Sequence, residues 1–157
     1  MIVEIDDHPS ANILRVAETC WSFINDAARD YKNKNDKLVG PCISVHCASG
    51  VSRSVTAIVT WLIAHHNFSS KEALEAVKRN RSYARPNSGF KCQIDILQKY
   101  SGNISESIKE WDSINATGRI ENATKLLVSA NEIHADVDNL EVSTNSIVSS
   151  RFLVSLF

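Results

Sequence analysis

The chain has 157 residues, 43% of them hydrophobic and 22% charged, with a formal net charge of −1. Apolar content on that scale supplies the core of one globular domain. The balance offers no basic block for nucleic acid or an acidic membrane surface, no apolar run long enough to span a bilayer and no signal-peptide pattern. The cysteines Cys20, Cys42, Cys47 and Cys92 lie far apart without a C-x-x-C pair, which argues against a structural zinc site and a secreted disulfide framework. No metal or cofactor is expected. A reducing cytoplasm or nucleus is the expected setting, so the sequons at Asn67, Asn103, Asn115 and Asn122 are read as incidental.

In chain order, Ile2, Val3 and Ile5 predict a short strand over Met1–Ile5. Asp6 to Ser10 breaks it, with Pro9 forcing a turn. Ile13, Ala17, Cys20, Ile24 and Ala27 recur at helical spacing and predict a helix from Asn12 to Arg29, with Trp21 and Ala28 widening its apolar face. Cys20 on that stripe reads as a core residue. The polar stretch Arg29–Lys37 reads as a surface loop, and Leu38–His46 as a strand with Gly40-Pro41 at its start. The stretch from Ser54 to about His65 is apolar almost all round and predicts the central buried helix. Adjacent His65 and His66 face different ways and make a poor metal pair.

Ser69-Ser70-Lys71-Glu72 has the pattern of a capping box opening a further helix that carries Ala73, Leu74 and Val77. Arg79, Arg81 and Arg85 follow and read as a solvated face. Pro86-Asn87 predicts a turn, and Phe90, Ile94 and Leu97 the inner face of the next helix. Ile104, Ile108 and Trp111 predict another. Beyond Gly118, apolar residues from Ile120 to Leu140 predict an amphipathic helix that packs back on the core or, second, meets another subunit. The apolar run Ile147–Phe157 ends the chain. Two regions are expected: a domain over residues 1–115, and an extension over 116–157 that is helical and then irregular.

The chemistry concentrates in His46-Cys47-Ala48-Ser49-Gly50-Val51-Ser52-Arg53-Ser54. A strand runs into this stretch and a helix leaves it, so the amides of Ala48, Ser49, Gly50, Val51, Ser52 and Arg53 can converge on one point with the positive end of the helix behind them. That arrangement binds an anion and stabilises a thiolate, which predicts a lowered pKa for Cys47 and a nucleophile near neutral pH. Gly50 lets the backbone pass close to the bound group. Arg53 can lay its planar fork over two phosphate oxygens, and Ser54 can donate to the departing thiolate. The bland alternative is a buried structural cysteine beside an exposed arginine.

The spacing His46-Cys47-x5-Arg53-Ser54 resembles the signature of cysteine-dependent phosphatases, in the form found in dual-specificity phosphatases. Arg85-Pro86-Asn87-Ser88-Gly89-Phe90 resembles the Pro-Asn-x-Gly-Phe stretch that follows the catalytic loop in that family. The resemblance covers about Ile2 to Tyr100. It implies an α/β fold with a central, mostly parallel sheet flanked by helices. Family members carry further strands before this point, so the domain is expected to be N-terminally incomplete and marginally stable.

The resemblance also implies hydrolysis through a phosphocysteine on Cys47, with Arg53 and the loop amides binding the phosphate and no cofactor. It places the general acid on a loop ahead of the first helix. Aligning Asn12-Ile13 with that helix start selects Asp7 over Asp6, and the polar insertion Arg29–Lys37 absorbs the longer gap to Cys47. His46 is expected to orient the loop, and Asn87 to brace it. Phosphorylated proteins bearing phosphotyrosine, phosphoserine or phosphothreonine are the implied substrates. A phosphoinositide or an RNA 5′-phosphate is the alternative, mildly disfavoured because Ala48, Ser49, Val51 and Ser52 are not basic. The competing class is a phosphoprotein-binding module without turnover.

Overall fold

A computed structural model describes residues 1–34, 43–117 and 152–155. Its elements are α1 (Leu14–Lys34), β1 (Ile43–His46), α2 (Arg53–His66), α3 (Ser70–Asn80), α4 (Ser88–Lys99), α5 (Ile104–Ala116) and β2 (Phe152–Ser155).

β1 is short and buries alternate residues, Ile43 and Val45, before handing the chain to Cys47. α2 leaves the loop and is buried along almost its whole length, as its apolar sequence dictates. Of its three buried polar residues, Ser54, Thr56 and Thr60, the two threonines are satisfied within the helix. The Thr56 hydroxyl donates to the Ser52 carbonyl at 2.9 Å, and that of Thr60 to the Thr56 carbonyl at 2.9 Å. α1 lays Leu14, Ala17, Cys20, Trp21 and Ile24 against this centre. α4 and α5 close another side with Ile94, Leu97, Ile104 and Trp111. The start of α1 is pinned to α5, because Asp112 accepts from Asn12 Nδ2 at 3.0 Å and pairs with Arg15 at 2.6 Å.

The expected capping box opens α3: Ser69 Oγ accepts from the Glu72 amide at 3.3 Å, and the Glu72 carboxylate accepts from the Ser69 amide at 2.9 Å. Other expectations need correction. α1 continues through Arg29 to Lys34, where a loop was predicted. No glycine or proline interrupts those residues, and polar side chains do not stop a helix already nucleated by its apolar face. α5 likewise runs past Trp111 to Ala116. Met1–Ile5 forms no strand, although Val3 is buried in the core cluster. A strand is defined by its ladder, and no described strand pairs with this segment.

Of the predicted strand Leu38–His46, residues 38–42 lie outside the described residues, as does the predicted helix from Ile120 to Leu140. Among the described residues the sheet has two strands, β1 and β2, paired in parallel with Ile43 opposite Phe152 and His46 opposite Ser155. Residues 152–155 are therefore strand where irregular chain was expected.

Two substitutions test this account by denaturant unfolding. Leu97 has no exposed surface, so Leu97→Ala should lower stability by about 2–5 kcal/mol. Ser69→Ala removes one cap and should cost about 1 kcal/mol. Equal losses would show that the α2–α4 core is looser than described.

Candidate active site

Cys47 directly follows β1, and the loop from Cys47 to Ser52 delivers the chain to the first turn of α2. Gly50 occupies the left-handed region at φ 64°, where a side chain would be strained. The orientation of this loop is set from outside. Arg81 Nε donates to the Gly50 carbonyl at 2.8 Å, and Arg81 Nη2 to the Ser49 carbonyl at 3.0 Å. The Arg85 amide donates to the Val51 carbonyl at 2.8 Å. The Ser52 carbonyl accepts from the Thr56 amide at 2.9 Å, inside α2. With these carbonyls held outward, the neighbouring N–H groups turn inward.

Their target is the Cys47 sulfur. Burial pushes the Cys47 thiol up, but the Ser54 hydroxyl and the amides of Ser54, Ser52 and Val51 outweigh it, so the pKa falls from 9.0 to about 6. Cys47 Sγ and Ser54 Oγ lie 3.3 Å apart. A lowering of this size is about 4 kcal/mol of preference for the thiolate, and it leaves thiolate over thiol at roughly ten to one at pH 7. Cys20 shows the opposite outcome. Burial dominates there and pushes its thiol up to about 11.

Asp7 approaches the same loop from the N-terminal segment. Its Oδ1 accepts from Ser52 Oγ at 2.7 Å and from Asn87 Nδ2 at 2.8 Å. Arg53 Nε stands 3.9 Å from Asp7 Oδ2, and Arg53 Nη1 donates to the Ile5 carbonyl at 3.0 Å. The buried Nε of Arg53 makes no hydrogen bond. Ser52 is the N-cap of α2, yet its hydroxyl does not cap the helix. It donates to Asp7 instead, while accepting from the Asn87 amide at 3.1 Å. A thiolate, an arginine with a spare donor and a carboxyl group thus meet around one amide-lined loop, as in-line transfer of a phosphoryl group requires.

The family model described as "Dual specificity phosphatase, catalytic domain" matches residues 1–116. The chain belongs to that family. It is similar to dual specificity protein phosphatase 1 of Arabidopsis thaliana, 35% identical over 98 residues that cover 62% of this chain and 45% of the relative. Dual specificity protein phosphatase 22 of Homo sapiens is 34% identical over 94 residues, 60% of this chain and 46% of that protein. A tyrosine-protein phosphatase of Schizosaccharomyces pombe is 31% identical over 109 residues, 69% of this chain and 30% of that protein. The chain therefore spans about half the length, or less, of these curated relatives.

The structure of this dual-specificity phosphatase domain brings Cys47, Ser52, Arg53, Ser54, Asn87 and Asp7 together. Ala48 and Ser49 are exposed at the loop's outer turn. His46 is half-buried as the last residue of β1. Asp6 is exposed. Sequence reasoning missed three things here. It set Arg81 aside as surface charge, although that side chain clamps two loop carbonyls. It gave Ser52 only a backbone role. It gave Asn87 one partner, whereas the residue uses both ends of its amide, since its Oδ1 also accepts from the Phe90 amide at 2.9 Å to cap α4. The closeness of Arg81 to Pro86-Asn87 was the available signal. Cys42 lies outside the described residues.

Alkylation rates against pH test the electrostatics. The rate at Cys47 should rise with a midpoint near 6, and both Ser54→Ala and Arg81→Ala should move that midpoint upward, the second by loosening the loop. A midpoint unchanged in both variants would remove the proposed causes. Peroxide should oxidise Cys47 well before Cys20, because their thiolate fractions at pH 7 differ by roughly 10⁴. Mass spectrometry of a time course reads the order.

Proposed function

We propose that this domain is a cysteine-dependent phosphomonoester hydrolase that removes phosphate from phosphorylated proteins. The observation that carries the reading is a Cys47 thiol lowered to about 6 within a loop that also meets Arg53 and Asp7. The names of the relatives, dual-specificity and tyrosine-protein phosphatases, support phosphotyrosine together with phosphoserine or phosphothreonine as the substrate residues. Free cysteines at 20, 47 and 92 suit a reducing compartment, cytoplasm or nucleus. Family membership supports completion of the sheet around β1 into a central, mostly parallel sheet flanked by helices.

The reaction has two steps. The Cys47 thiolate attacks phosphorus opposite the leaving oxygen, forming an S–P bond as the P–O bond breaks. Asp7, protonated, gives its proton to that oxygen. Water then attacks phosphorus and loses a proton to the Asp7 carboxylate. The S–P bond breaks, phosphate departs, and the Ser54 hydroxyl stabilises the returning thiolate. Arg53 and the loop amides hold the equatorial oxygens through both steps. His46 sets the direction in which the chain enters the loop, and Asn87 braces loop and acid together. Joint presence of nucleophile, arginine and acid weighs against a module that binds without turnover.

Variants of the reacting residues give the test. Cys47→Ser should abolish turnover of an aryl phosphate while phosphate still binds, because the serine has no base to activate it. Arg53→Lys should also fail, since a point charge does not replace a two-pronged donor. Asp7→Asn should lower kcat about 10²–10⁴-fold with alkyl phosphates and flatten one limb of the pH profile. Good leaving groups should suffer less, and Asp6→Asn should change little. A damaging Asp6→Asn with a mild Asp7→Asn would move the acid by one residue.

A further inference from the structure

The segment carrying Asp7 is moored to α4 at points outside the phosphate loop. A Cβ built on Gly89 would lie 1.8 Å from the Pro9 carbonyl oxygen and 2.5 Å from the Pro9 carbonyl carbon. The backbone of Pro9 therefore rests on the bare Cα of Gly89. One turn further, Gln93 is fully buried, with 0% exposure. Its Nε2 donates to the Ala11 carbonyl at 2.8 Å and to the Gly89 carbonyl at 3.3 Å. Its Oε1 accepts from the Ile13 amide at 2.9 Å and the Leu14 amide at 3.4 Å. Those amides open α1 and have no partner within the helix. A single side chain thus fixes the end of the acid loop and the start of the helix after it. The loop adds an internal turn, in which the Ala11 amide donates to the His8 carbonyl at 3.0 Å. Asp7 is two residues from the contact at Gly89, with little slack between.

We propose that Gly89 and Gln93 are positioning residues for proton transfer, placing the Asp7 carboxyl over the phosphate loop through the backbone of Pro9 to Ile13. The proposal rests on Asp7 being the general acid. Proton transfer needs the donor within hydrogen-bond reach of the leaving oxygen. Real Cβ contacts stay above 3.0 Å, so a methyl at position 89 must widen the gap between α4 and the Pro9 oxygen by at least about 1.2 Å. Misplacement of about 1 Å can cost about 10²-fold in rate. The loss should fall on the step that needs the acid and spare the thiolate, whose loop is held by Arg81 and Arg85 instead.

The test uses the full chain carrying Gly89→Ala or, separately, Gln93→Met, each also combined with Asp7→Asn. Rates are measured with an alkyl phosphate, which needs protonation to leave, and with dinitrophenyl phosphate, which needs almost none. Each single variant should lower kcat for the alkyl phosphate about 10²-fold and for dinitrophenyl phosphate by less than about threefold. Vanadate inhibition should be unchanged. In the Asp7→Asn background neither substitution should reduce the rate further. Equal losses on both substrates, or a full loss persisting in the Asp7→Asn background, would overturn the proposal and leave a purely structural role. Should one variant not fold, by circular dichroism, the other decides. Asp7→Asn alone judges the reading of the acid: without a leaving-group-dependent loss there, that reading falls and the proposal with it.

Discussion

Each peptide between Cys47 and Ser52 can aim either its N–H or its carbonyl at the sulfur, and that choice decides what the loop can bind. Carbonyls aimed inward would repel an anion and raise the thiol pKa. Here the carbonyls of Ser49, Gly50 and Val51 are taken by the Arg81 guanidinium and the Arg85 amide. The outward hydrogen bonds are what make the interior of the loop electropositive, and everything proposed for the site depends on them. Arg81 suits the task because its planar fork reaches two successive carbonyls at once.

At the sulfur two large effects oppose each other. Desolvation favours the neutral thiol, and donors aimed at the sulfur favour the thiolate. For Cys20 burial wins, whereas for Cys47 the Ser54 hydroxyl and three amides win. Both cysteines are nearly inaccessible, so exposure does not separate them. The number and direction of donors do.

Residues 81–93 serve both halves of the site. Arg81, Arg85 and Asn87 hold the phosphate loop, while Asn87, Gly89 and Gln93 hold the acid segment. The Ser52 hydroxyl joins the halves, released from helix capping to donate to Asp7 and accept from Asn87. α2 tolerates the missing cap because its burial, rather than its first turn, stabilises it.

How much of this was legible in advance follows from the range of each interaction. Local spacing was enough for the apolar stripe of α1, the all-round burial of α2, the capping box at Ser69 and the strand–loop–helix junction at Cys47, since each depends on residues within a few positions of one another. The lowered thiol pKa was legible for the same reason, because its donors lie within seven residues of the sulfur. Met1–Ile5 misled, because apolar residues announce burial but a strand also requires a neighbour to pair with. The polar run after Arg29 misled in the other direction, as a helix already packed continues until something stops it. What only the tertiary structure decided is contact between distant segments: Arg81 with Gly50 across 31 residues, Asp7 with Asn87 across 80, and Gln93 with Ala11 across 82. A charged or amide side chain looks the same in sequence whether it faces water or a carbonyl, and only the packing of the end of α3 and of α4 beside the loop tells which.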